Sequence, residues 1–73
     1  MEQEFLEFIA EIFNCDVSEI SLDTTPKDVF KWTSLMQLRL VGEIADKYDV
    51  EIPIDEVADI KSLRDFYKYV AEK

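Results

Sequence analysis

The sequence predicts an all-α fold, a four-helix bundle with a long first loop and a short third helix, and three observations predict it. Apolar residues recur at helical intervals in three separate stretches, near residues 2–13, 34–48 and 62–70. The one alternating stretch, Val50, Ile52 and Ile54 around Glu51 and Pro53, has no credible strand to pair with. One Gly and two Pro in 73 residues, 48% of them hydrophobic, leave enough apolar material for a single core and no low-complexity tract. One domain spanning residues 1–73 is therefore expected.

From Glu2 to Phe13, apolar Phe5, Ile9, Ile12 and Phe13 fall at helical spacing with Glu4, Glu7 and Glu11 largely opposite. Leu6 and Phe8 widen that face, as a helix with neighbours on two sides requires. Residues 14–31 lose the rhythm. Val17, Ile20, Leu22, Val29 and Phe30 stand among polar residues and read as apolar anchors of a long loop. Thr25-Pro26 has the chemistry of one short helical turn, with Thr as N-cap. The second long helix runs from Ser34 to Tyr48, with Leu35, Leu38, Val41, Ile44, Ala45 and Tyr48 as its buried stripe. Ser34 and Gln37 have the spacing of a capping box. Gly42, about 1 kcal/mol worse than Ala inside a helix, points to a close helix contact. Residues 49–53 form a connector, and Asp55 caps a short third helix. Ser62-Leu63-Arg64-Asp65 opens the last helix, whose buried stripe is Leu63, Phe66, Tyr67 and Val70.

Charge and composition exclude several functions. Seventeen acidic residues against eight basic give −9, which repels nucleic-acid phosphates and anionic lipid and favours partners with basic patches. No apolar run has the length of a membrane span, and Met1-Glu2-Gln3-Glu4 is wrong for a signal peptide, so a soluble, cytoplasmic protein is expected. Histidine is absent and Cys15 is the only cysteine. The commonest general base is thus missing, and so are His-dependent triads and Cys-rich zinc sites. The acidic groups Asp46/Asp49/Glu51 and Asp55/Glu56/Asp59 lack the loop pattern of a calcium site. An enzyme is not expected. Cys15 follows a helix C-terminus and precedes Asp16, a setting that raises a thiol pKa and marks a structural cysteine. Trp32 reads first as core, with the mouth of a cavity between the helices as the alternative.

Ser34 is the candidate functional residue. It lies where the long loop meets the second helix, and a helix N-terminus offers unpaired N–H groups and partial positive charge that suit a covalently held phosphate. A purely structural capping role explains the same residue about as well on local sequence alone.

Thr33-Ser34-Leu35, the helix ending in Tyr48, the run Tyr48-Asp49-Val50-Glu51-Ile52-Pro53, and Ile60-Lys61-Ser62-Leu63 before Phe66 and Val70 together resemble the acyl carrier protein family, peptidyl carrier domains included. The likeness extends over essentially the whole chain in length, helix order and acidity. It implies a bundle of acyl-carrier type bearing 4′-phosphopantetheine on Ser34 through a phosphodiester, the arm's thiol carrying acyl or aminoacyl thioesters between enzymes. It also implies a monomer served by a phosphopantetheinyl transferase and by synthase or acyl-transferring enzymes of lipid, polyketide or related biosynthesis. The partner-facing patch carried over is Thr33, Leu35, Met36, Arg39, Glu43 and Asp46. Two positions depart from the pattern. The family usually has Asp where this chain has Thr33, an acid that helps recognition and metal binding while the arm is attached, so a dedicated transferase is one expectation and an unmodified acidic adaptor the alternative. Arg39 is opposite in sign to what a basic patch would meet, which points to a specialised pathway partner. An acidic mimic of nucleic acid is a weaker rival, because Lys31, Lys47, Lys61 and Lys68 interrupt the acidic surface.

Overall fold

The computed structural model describes residues 2–71. Four helices appear in the order α1 (Glu2–Phe13), α2 (Ser34–Tyr48), α3 (Ile54–Val57) and α4 (Leu63–Ala71), with one 3₁₀ turn, Val17–Glu19, between α1 and α2. The described residues contain no strand. The all-α expectation holds.

Helix α1 buries Phe5, Leu6, Ile9, Ala10, Ile12 and Phe13, the face its periodicity marked. Its beginning meets the end of α2, where Phe5 and Phe8 both contact the Tyr48 ring. Its end meets the segment leading into α2, where Phe13 contacts Trp32. The two helices are therefore antiparallel. Helix α4 closes the core through Phe66, against Trp32, and Tyr67, against Phe5.

With a single glycine in the chain, both long-helix ends turn on other residues. Asn14 (φ 57°) and Asp49 (φ 53°) take the left-handed conformation that Asn and Asp tolerate best after Gly. Cys15 N–H then reaches Ala10 O at 3.0 Å and Val50 N–H reaches Ala45 O at 3.2 Å, the pairing that closes a helix C-terminus.

The loop between α1 and α2 is stitched by its own polar groups. Asp16 caps the 3₁₀ turn, accepting from the backbone N–H and hydroxyl of Ser18, while Glu19 accepts from Asp16 N–H. Those two bonds hold the Asp16 carboxyl below its ordinary pKa. Thr24 is buried, and its hydroxyl accepts from Ser21 N–H at 2.8 Å. The loop also caps α4 with backbone alone: Leu63 N–H donates to Thr24 O at 3.1 Å and Arg64 N–H to Leu22 O at 2.7 Å. Two N–H groups that every helix start leaves unpaired are satisfied this way. Asp65 accepts from the N–H groups of Lys61 and Ser62, half of the capping arrangement expected there.

Several expectations fail, each for a definable reason. Phe30 is 88% exposed and anchors nothing, whereas Ile20 and Leu22 are buried as expected. Thr25-Pro26 begins a turn and not a helix, and the capping runs backwards, with Asp28 accepting from the N–H and hydroxyl of Thr25. Pro53, without a side-chain hydrogen bond, stands at the N-cap of α3 in place of Asp55. In α2 the fully buried residues are Leu40 and Ile44, while Leu35 and Leu38 are 78% and 58% exposed. This helix carries apolar residues on two faces, and periodicity alone cannot choose between them. Partly buried Met36 and Tyr48 extend the Leu40–Ile44 row at intervals of four.

Gly42 is exposed, and a Cβ built there meets nothing within 4 Å beyond its chain neighbours and the adjoining backbone of its own helix. The expected close helix approach is absent, and Gly42 merely weakens α2. Gly42→Ala should therefore stabilise the fold by about 0.5–1 kcal/mol in a urea titration. A loss of stability would show that this face is covered in solution.

Candidate functional site

Thr33 and Ser34 are adjacent hydroxyls at a helix start, and either is a good cap. The backbone selects Thr33. With φ −95° and ψ 178° it stands just outside the helix, its Oγ1 accepts from Met36 N–H at 3.2 Å, and its carbonyl accepts from Gln37 N–H at 2.8 Å. Ser34 is consequently the first residue of α2, exposed, and the capping box expected from Ser34 and Gln37 does not form. Among the described residues nothing hydrogen-bonds to the Ser34 hydroxyl or to the N–H groups of Ser34 and Leu35. A free hydroxyl beside free N–H groups, at the positive end of a fifteen-residue helix, suits an esterified phosphate.

What holds this junction in place lies just before it. Trp32 is 5% exposed, with its ring 5.9 Å from Phe13 and 6.3 Å from Phe66, stacked on the latter at 29°. Lys31 Nζ donates to Phe13 O at 3.1 Å, neutralising the last carbonyl of α1. The residue expected in the capping box, Gln37, does something else. Its amide oxygen accepts from Trp32 Nε1 at 2.5 Å, and its Nε2 donates to Val57 O at 3.2 Å. Sequence spacing carried no signal for this link, because α3 lies twenty residues away.

Ser34 opens on a surface groove of about 460 Å³ lined by Pro26, Trp32, Thr33, Gln37, Leu38, Val57, Ala58 and Ile60. Leu38 separates it from a second groove of about 480 Å³ lined by Thr33, Leu35, Met36 and Arg39. Four of the six residues expected to face partners thus gather beside Ser34. Glu43 joins them through Arg39, whose Nε lies 3.5 Å from its carboxylate, and exposed Asp46 follows on the same face. Arg39 and Lys47 balance Glu43 and Asp46, so α2 has no net charge although the chain has −9.

Cys15 stands apart, in another groove with Phe13, Glu19 and Lys31. Burial first, then Glu19, pushes its thiol pKa up despite the opposing pull of Lys31, which makes it a poor nucleophile at neutral pH. No group of three or more His, Cys, Asp or Glu among the described residues has a metal-binding arrangement, and none of their helices is long and apolar enough to cross a membrane.

Comparison with known proteins decides the family. The family described as "Phosphopantetheine attachment site" matches residues 3–70. The chain is 36% identical over 73 residues to the acyl carrier proteins of Rickettsia massiliae and Rickettsia felis, and 34% identical to that of Rickettsia typhi. Each alignment covers 100% of this chain and 85% of the relative. The chain belongs to the acyl carrier protein family. Its cofactor is 4′-phosphopantetheine, held covalently. As a carrier it supplies a site of attachment, and the free hydroxyl and N–H groups opening α2 fit a phosphodiester.

The capping geometry makes a prediction that separates the two hydroxyls. Thr33→Ala should lose about 1 kcal/mol of stability, whereas Ser34→Ala should stay within about 0.5 kcal/mol of the parent. Denaturant titration of both variants tests this, and the reverse order would reassign the cap to Ser34.

Proposed function

We propose that Ser34 is the attachment residue and that the protein carries acyl or aminoacyl thioesters between enzymes of lipid, polyketide or related biosynthesis. The observation that carries this reading is the division of labour at the start of α2. Thr33 satisfies the helix, and the Ser34 hydroxyl is left exposed, unbonded and beside a groove. The bound group contributes a thiol at the end of a flexible arm. This chain contributes a fixed origin for that arm and a surface that partners recognise.

Two ranges of interaction serve that recognition. The net charge of −9 draws partners with basic patches from a distance and speeds encounter. Close contact falls to Thr33, Leu35, Met36, Arg39, Glu43 and Asp46, and there the exposed Leu35 and the Arg39–Glu43 pair offer apolar area with balanced charge. A partner seated on α2 therefore meets this carrier mainly through apolar contact. Its partners are a phosphopantetheinyl transferase, which installs the arm, and the synthase or acyl-transferring enzymes that use it.

Thr33 is the feature that favours the rival reading, an unmodified acidic adaptor with a carrier fold. Incubation with a promiscuous phosphopantetheinyl transferase and coenzyme A, followed by intact mass measurement, separates the two. The parent should gain one phosphopantetheinyl group and Ser34→Ala none. Thr33→Asp, which preserves a good cap, should load faster. Uptake by Ser34→Ala would overturn the attachment assignment, and unchanged or slower loading of Thr33→Asp would overturn the explanation of that departure.

A further inference from the structure

Beyond the groove beside Ser34 lies the bundle interior, and the route between them is closed by side chains the carrier function has not yet used. Trp32 fills the space behind the groove, stacked on Phe66 and against Phe13, both almost wholly buried. Across the groove runs the Gln37 bridge, from the indole N–H to the carbonyl of Val57 at the end of α3. An amide suits that place. An indole N–H can only donate and a backbone carbonyl can only accept, so the linking group must do both.

The bridge matters more because α3 is so short. It is four residues long, starts at Pro53 without a side-chain cap, and is also tied by the hydrogen bond from Tyr69 to Glu56. A hydrocarbon chain passing inward from Ser34 would have to part α2 from α3. It would leave the indole N–H and the Gln37 amide without their partners, the Val57 carbonyl keeping only its bond from Ile60 N–H, and it would find the space already filled by aromatic rings. A short or polar acyl group has no apolar area to bury and loses nothing by staying outside.

We propose that Gln37 is a specificity-determining residue: by joining Trp32 to the end of α3 it bars the bundle interior to the cargo, and so suits the carrier to short or polar acyl groups rather than long hydrocarbon chains. This rests on Ser34 bearing the arm.

The test compares acetyl and octanoyl thioesters loaded enzymatically onto the full chain, each verified by mass on the tryptic peptide of residues 32–39. The readout is the rate at which hydroxylamine cleaves the thioester, which falls in proportion to the fraction of cargo withdrawn from solvent. In the parent the two cargoes should be cleaved at rates within about twofold of each other. In Gln37→Ala the octanoyl form should become about fivefold slower than the acetyl form. Gln37→Glu keeps the size but cannot donate to Val57 O, and it should move the ratio the same way, so the test survives if Gln37→Ala fails to fold. Strong protection of octanoyl in the parent, or equal rates in every folded variant, overturns the proposal and leaves the attachment reading intact. An arm found elsewhere than residue 34 overturns both.

Discussion

The indole of Trp32 lies between the rings of Phe13 and Phe66, and the start of α2 is positioned by that contact. Twenty residues separate α1 from α2, and a loop of that length would ordinarily leave its far end free to wander. Burying one large ring against both α1 and α4 removes that freedom. Lys31 adds a bond to the last carbonyl of α1, and Gln37 extends the same anchor to α3. Truncating a buried Trp costs roughly 3–5 kcal/mol, a large share of the roughly 5–15 kcal/mol that holds a small domain together. The residue two places before Ser34 therefore belongs as much to the core as to the site.

Immediately after this anchor, two adjacent hydroxyls face different demands. A helix start needs a side-chain acceptor just outside its first turn, and Thr33 provides it. An attachment residue needs a hydroxyl that no other group occupies, and Ser34 is left in that state one position later. Exposed Leu35 and Leu38 follow from the same registration, since the buried row of α2 passes through Leu40 and Ile44. Apolar residues thus surround the site without weakening the core. The charge is distributed to match: the acids that make the chain strongly negative lie mostly off α2, where they steer partners without opposing contact.

Much of this was legible in residue order. The faces of α1 and α4 followed from spacing, as did the long first loop, the connector between α2 and α3 and the placement of Ser34 at a helix start. Local chemistry misled at Thr25–Asp28 and at Pro53, and most of the other failures depended on contacts between distant parts of the chain. Thr33 and Ser34 are both good caps by type, and residue type alone does not say which one lies outside the helix. The two apolar faces of α2 were equivalent until α1 and α4 packed against one of them. Gln37 resembled a local capping partner, yet its acceptor lies on α3. Carbonyls of Leu22 and Thr24 cap α4 without any side-chain signature. The family resemblance, by contrast, needed only short local runs and survived all of these errors.

The most direct test of the whole account is the mass of the protein isolated from its native host. Trypsin cleavage at Lys31 and Arg39 releases Trp32-Thr33-Ser34-Leu35-Met36-Gln37-Leu38-Arg39, and fragmentation within that peptide separates the two hydroxyls. The account predicts 4′-phosphopantetheine on Ser34, with any cargo visible as added thioester mass. A peptide that is unmodified in the native protein, or modified on Thr33, would contradict it.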